Sequence, residues 1–277
     1  MTRHGIYWIA SYPKSGNTWV RCLIASLLSG GAPVRLDRLA DAVPSSASRT
    51  WIEASIDIGT ADMLGGELRA MRVQAHREEG SRRLCMLKVH DRCDAELFPP
   101  DVTLGSVYIV RDPRDVAPSW ADHMGVDVDT AIARMADGEW TVGRGMSSLR
   151  PQVPQRYGSW SGHVVSWLDH APASRLLLRY EALLADPAGE AARLARFLGL
   201  PADADVVARA VRACDFGRLR DMEEREGFAE RQKGQQRFFR QGRSGAWRTA
   251  LQPGQVDRIV DAHGDVMRRL GYGADAL

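Results

Sequence analysis

The 277-residue sequence predicts an α/β fold in one domain, residues 1–277, with a central parallel β-sheet flanked by helices. Three observations predict it. Four short apolar runs, at residues 6–10, 84–89, 104–110 and 175–179, have the length and character of buried strands. Segments with apolar residues at helical spacing lie between and after them, near 17–29, 60–78, 114–122, 126–137, 161–170, 187–198, 204–213 and 253–270. Strands that alternate with helices pair in parallel, because each helix carries the chain back to the starting edge. The third observation is positional. Polar residues with chemistry in them fall just past the carboxyl ends of the runs, where open parallel sheets bind ligands.

The first run, Ile6 to Ala10, passes into "SYPKSGNTW" and then into a helical pattern that stops at Gly30-Gly31. A loop that joins a strand to a helix N-terminus gathers unpaired backbone N–H groups and the positive end of the helix dipole, so it suits an anion. The pattern is not that of the ATP and GTP loops, which need glycines one and six residues before the lysine. Here those places hold Pro13 and Trp8. Lys14 can reach over the guest, while Ser15, Asn17 and Thr18 add side-chain donors around Gly16. The plainer alternative is a helix start capped by Ser15 or Asn17.

The second run ends in "LKVH". Lys88 and His90 are two apart, so both point to one face and leave the sheet side by side. His90 can act as a general base, and Lys88 can offset charge on a group in transfer. The alternative for His90 is an ordinary surface or core histidine. The third run leads into "RDPRDVAPSW", where Arg111 and Ser119 can both donate to a phosphate. An ion pair of Arg111 with Asp112 or Asp115 is the alternative. The fourth run is followed by Tyr180. Residues 137–159, rich in Gly, Ser, Pro and Arg, read as a long surface loop and a candidate lid. Residues 226–247 read as irregular. Overlapping them, from Arg231 to Arg248, runs "RQKGQQRFFRQGRSGAWR", with six basic residues and no acidic one, and the glycines at 242 and 245 suggest exposed backbone N–H groups for a second anion. A solvated basic face is the alternative.

Composition narrows the function classes. With 44% apolar and 26% charged residues the chain is that of a soluble globular protein. A net charge of +2 gives no footprint for nucleic acid. No apolar run reaches membrane-spanning length, and the N-terminus enters the first strand without a signal segment, so a cytoplasmic location is expected. Cys22, Cys85, Cys93 and Cys214 form no C-x-x-C pair and read as reduced, mostly buried thiols. Of 37 Lys and Arg residues only Lys14, Lys88 and Lys233 are lysines. Where arginine has taken the ordinary surface roles, a lysine marks a place for a compact point charge. Trp51, Trp120, His123, Trp140, Trp160 and Trp167 lie near the expected mouth of the site. Core packing is their ordinary role, and any that line the pocket would suit a flat or lipophilic alcohol or phenol.

Together "YPKSGNTW", "LKVH", "RDPRDVAPS" and "FFRQGRSGAW" resemble the PAPS-dependent sulfotransferases, in the order of that family. The resemblance implies a parallel sheet related to nucleotide kinases, with PAPS (3′-phosphoadenosine-5′-phosphosulfate) as donor and PAP as product. It implies that Lys14 contacts the 5′-phosphate and the bridging oxygen. Ser15, Gly16, Asn17 and Thr18 would wrap the phosphosulfate, and Trp19 would stack on adenine with Tyr180 and Phe216 nearby. Lys88 would stabilise the sulfuryl group, and His90 would take the acceptor proton. Arg111 and Ser119 would hold the 3′-phosphate, with Arg240, Gln241 and Gly242 closing over it. Gln241 and Ala246 depart from the lysine and aspartate of many members, and Arg243 is placed to compensate. Details such as "RYEALLADP" lean towards bacterial members, including those that sulfate glycopeptides. The expected acceptor is a small-molecule hydroxyl, without nucleic acid or membrane as partner and with a homodimer allowed. No metal is expected, because a sulfuryl group carries less charge than a phosphoryl group and lysines suffice where kinases use Mg²⁺. The rivals are an ATP-dependent small-molecule kinase and a nucleotide-binding protein without turnover.

Overall fold

All seven residues of β1 (Gly5–Ser11) are buried, as suits a strand with neighbours at both edges and helices on both faces. The structure is a computed structural model that describes residues 4–143, 150–232 and 235–273. β1 pairs in parallel with β2 (Leu84–Val89) on one side and with β3 (Thr103–Val110) on the other. Two short strands, β4 (Thr141–Val142) and β5 (Gln155–Arg156), form a separate antiparallel pair, and β6 (Arg175–Arg179) joins β3 in parallel. The main sheet has the order β2-β1-β3-β6. Each strand of this sheet lies within one residue of its expected run at either end.

In chain order the helices are α1 (Asn17–Leu28), α2 (Leu39–Ala42), α3 (Arg49–Ile56), α4 (Gly65–Arg82), α5 (Pro113–Met124), α6 (Val128–Ala136) and α7 (Trp160–Asp169). They continue as α8 (Tyr180–Ala185), α9 (Pro187–Leu198), α10 (Ala204–Ala213), α11 (Phe216–Glu226), α12 (Trp247–Ala250) and α13 (Pro253–Arg269). Successive side chains of β1 enter opposite layers. Ile6, Trp8 and Ala10 pack with Phe98, Trp120, Trp160 and Trp167, whereas Tyr7 and Ile9 pack with Val20, Leu23 and Leu194. Trp160 and Trp167 are therefore core residues, in the ordinary role expected of them.

The chain leaves β1 towards β2 on one side and leaves β3 towards β6 on the other. The crevice between the ends of β1 and β3 is thus a switch point, the place where such sheets bind ligands.

Some expectations need correction. The helix expected at 60–78 is displaced to Gly65–Arg82, where Glu67 accepts a hydrogen bond from the Leu64 backbone N–H at 2.8 Å and fixes the start. The stretch 137–159 is not a plain loop, since β4 and β5 pair within it; its residues 144–149 lie outside the described residues, as does Lys233. All four cysteines are buried and free. Among the described residues no helix is long and apolar enough to cross a membrane.

Candidate active site

The loop after β1 turns sharply at two positions with positive φ, Lys14 (65°) and Gly16 (102°). Gly16 is required there twice over. L-residues rarely adopt its backbone conformation, and a Cβ would lie 2.7 Å from Tyr180 Cδ2. Neither Ser15 nor Asn17 caps α1: the cap position is Gly16, with no side-chain bond to the first turn and no acidic residue in it. The N-terminal amides of α1 are left for an anion. The Asn17 amide serves the scaffold instead, as Nδ2 donates to Ile9 O (2.9 Å) and Ser11 Oγ (3.2 Å). Ser15 is fully buried, with Oγ unpartnered among the described residues, and does not reach the cavity surface.

Every other expected site residue borders one cavity of about 690 Å³. Lys14 stands with Nζ 4.1 Å from the centre of the Phe238 ring. Burial pushes its ammonium down to about 8, and the charges of Arg111 and Lys88 act in the same direction against Asp122. Lys88 and His90 reach the cavity together, as the two-residue spacing requires. The register sets Ser11 just past the pairing of Ala10 with Val89, so His90 meets the end of β1. His90 Nδ1 lies 2.9 Å from Ser11 O. A carbonyl oxygen only accepts, so Nδ1 carries the proton and Nε2 is the basic nitrogen. Burial first, and the Lys88 charge second, hold His90 well below the usual histidine value, which keeps the ring neutral.

The far end is built from β3 and α5. Arg111 leaves β3 and is 9% exposed, with its guanidinium 4.4 Å from the Tyr180 ring centre. It donates to Lys14 O (3.3 Å) and Arg243 O (3.0 Å), and its Nε is buried without a partner among the described residues. The ion pair with Asp112 or Asp115 does not form. Asp112 is paired with Arg114 at 2.7 Å, and Asp115 accepts from Gly245 N (2.8 Å) and Trp247 N (2.9 Å). Ser119, Arg240, Gln241 and Gly242 line the same cavity, and a Cβ on Gly242 would lie 2.4 Å from Phe216 Cδ2. Trp19 and Phe216 also border the cavity, with Trp19 Nε1 donating to Cys214 O at 3.0 Å. Trp120 and His123 line it as well, whereas Trp51 and Trp140 only pack near the core.

A family model described as "Sulfotransferase domain" matches residues 6–271. The chain belongs to the sulfotransferase family. This sulfotransferase is 25% identical over 269 residues to cytosolic sulfotransferase 17 of Arabidopsis thaliana, covering 91% of its own length and 71% of the relative's. It is 22% identical over 275 residues to flavonol 3-sulfotransferase of Flaveria bidentis, covering 91% and 78%. Its fold matches a mouse sulfotransferase complexed with PAP at a TM-score of 0.61, with 20% identity over 97% of this chain and 85% of that one. It also matches retinol dehydratase in complex with androsterone and PAP at 0.61, with 20% identity over 95% and 80%. These relatives come from plants and animals or are fold neighbours only, so none of them carries the bacterial leaning. Nothing in them supports the kinase alternative.

Three residues at or beside the sulfotransferase cavity hold roles that the sequence alone did not suggest. Glu230 enters the cavity and binds Lys88 Nζ at 3.0 Å and Arg21 Nη1 at 2.5 Å. Arg21, on the second turn of α1, is 1% exposed rather than at the surface. Asp115 ties the C-terminal segment to α5 through two backbone amides. Glu230 and Asp115 sit in charged stretches and Arg21 is the one charge of an apolar helix, so none gives a periodic signal of its own, and only the tertiary closure brings the three to their partners. Among the described residues no group of three His, Cys, Asp or Glu could hold a metal ion.

Proposed function

We propose that this sulfotransferase moves a sulfuryl group from PAPS to the hydroxyl of a small-molecule phenol or alcohol, with His90 as general base. The observation that carries the reading is the hydrogen bond from His90 Nδ1–H to Ser11 O, in a ring that shares its cavity with Lys14 and Lys88. It commits the ring to the tautomer that can take a proton at Nε2, beside two compact positive charges.

The residues present fit such a donor. The uncapped start of α1 and the Lys14 ammonium suit its 5′ end. Arg111, with a buried donor left unpartnered, and Ser119 suit its 3′-phosphate. Trp19, Tyr180 and Phe216 offer flat apolar faces for the base. When bound, PAPS supplies the sulfuryl group and is released as PAP. His90 Nε2 accepts the proton of the acceptor O–H as its oxygen bonds to sulfur. Lys14 offsets the charge that gathers on the departing oxygen, and Lys88 the charge on the sulfuryl oxygens. The cavity lining also includes Trp120, Met124, Val142, Pro151, Val153 and Tyr157, an apolar set that favours a lipophilic or flat acceptor. The names of the plant relatives, cytosolic sulfotransferases, support a cytoplasmic place for it.

The test is a turnover screen with PAPS over phenols, aliphatic alcohols and sterols, read by mass spectrometry as a sulfuryl gain on the acceptor and PAP release. Transfer from PAPS and none from ATP with Mg²⁺ is the expected result. Phosphoryl transfer, or PAPS binding without transfer to any acceptor of these classes, overturns the reading.

A further inference from the structure

A carboxylate, Glu230, lines a pocket that Lys14, Lys88, Arg111 and Arg240 otherwise make attractive to an anion. Glu230 lies in the turn after α11, outside any helix or strand. One of its oxygens accepts from Arg21 Nη1 at 2.5 Å, and the other accepts from Lys88 Nζ at 3.0 Å and Thr18 Oγ1 at 3.4 Å. Burial works to raise this carboxyl, yet the charges of Lys88 and Arg21 outweigh it and hold it well below the usual carboxylate range, so it is ionised. Arg21 does not itself line the cavity; it also donates Nε to Val43 O at 3.2 Å, which fixes the guanidinium that holds Glu230.

Like carboxylate, a sulfonate is anionic and accepts hydrogen bonds through several oxygens. If Lys88 works on the sulfuryl group beside His90, the sulfonate of the donor must come to the same donors. Two anions cannot share them without like-charge repulsion. The carboxylate must give way, and Arg21 would then be a buried cation without a partner, a costly state unless the incoming anion takes it up.

We propose that Glu230 is an internal stand-in for the donor's sulfonate, and that Arg21, Thr18 and Lys88 form the sulfonate subsite it holds in the donor-free protein. This inference rests on the PAPS reading above. It makes Arg21 a donor-binding residue and Glu230 an autoinhibitory one.

The experiment measures PAPS and PAP affinity by calorimetry for the wild type, Glu230→Gln, and Glu230→Gln combined with Arg21→Met. Glu230→Gln should bind PAPS about tenfold tighter, because one like charge at hydrogen-bond distance is removed. PAP lacks the sulfonate and should change by less than about threefold. Arg21→Met in that background should erase the gain. Should the double variant fail to fold, Glu230→Gln and Glu230→Ala decide by themselves. Unchanged or weaker PAPS binding in Glu230→Gln overturns the stand-in, as does an equal gain for PAP. Loss of turnover at unchanged affinity also overturns it, since Glu230 would then be orienting Lys88. A wild type that transfers from PAPS confines each of these failures to Glu230. A wild type that binds neither nucleotide sinks the functional reading and this one together.

Discussion

The two ends of the cavity treat positive charge differently. At the β1–β2 end, Lys88 and the nearby Arg21 are met by a carboxylate from the chain itself, Glu230. At the β3 end, among the described residues, Arg111 has no carboxylate partner and contacts the carbonyls of Lys14 and Arg243 and the face of Tyr180. An uncompensated guanidinium attracts an anion at full strength, while a compensated pair yields to one only after its partner leaves. On the proposed function, the contrast gives anchoring to the β3 end and chemistry to the β1–β2 end.

Substitution of His90 should separate the two most sharply. His90→Ala removes the proton acceptor and nothing at the β3 end, so kcat should fall roughly 10²- to 10⁴-fold. PAP affinity should stay within about threefold, since His90 makes no contact with the anchoring end. Single-turnover rates and calorimetry on the same preparation check both halves. Comparable turnover in the variant ends the base role, and a parallel loss of PAP affinity ends the division of labour. The next largest effect belongs to Arg111. Arg111→Ala should weaken PAPS about 30-fold, as expected for truncating a buried charged donor. It should leave adenosine 5′-phosphosulfate, which lacks the 3′-phosphate, within about threefold. Equal losses for both donors would place the 3′-phosphate elsewhere.

The same two ends show what a sequence makes legible. The β1–β2 end is built on strand termini and a helix start, whose apolar periodicity and loop residues are local signals; Lys14, Lys88 and His90 follow from them. Strands buried on both faces read as apolar runs, which is why the four of the main sheet are found almost to the residue. The elements missed lack those signals. α8 starts at Tyr180, directly from β6, with no turn residue between them. α11, FGRLRDMEERE, carries only Phe216, Leu219 and Met222 as apolar residues in a strongly charged segment, so its apolar stripe is short and weak. The Asn17 amide reads as a ligand donor, but competition from Ile9 O and Ser11 Oγ claims it for the scaffold. Glu230 is the furthest case: its partners Lys88 and Arg21 are 142 and 209 residues away.

The smallest expected effect is one of pH, and it joins the two ends. Lys14 is pushed down to about 8, mainly by burial, with the Arg111 charge contributing. Below that value the ammonium is charged and draws the 5′ end of the nucleotide; above it the free protein loses the charge. PAP affinity should therefore fall as pH rises, by about threefold between pH 7.5 and 8.5, where a lysine at its ordinary value would give almost no change. The nucleotide's phosphates are already fully ionised in that range, with a second pKa near about 6, so they do not mimic the effect. On the acid side the sign is opposite. On the proposed function His90 is a base only when neutral, and burial with the Lys88 charge holds it well below the usual value, so kcat should stay level from pH 7.5 down to 6.5, a range across which an ordinary histidine would lose about half its base form. Arg111→Ala then provides the coupling test. Removing a charge that lowers Lys14 must move the alkaline limb of the PAP titration to higher pH, even as overall affinity drops. A limb that stays in place would mean that another group sets it, and the two ends would be electrostatically independent.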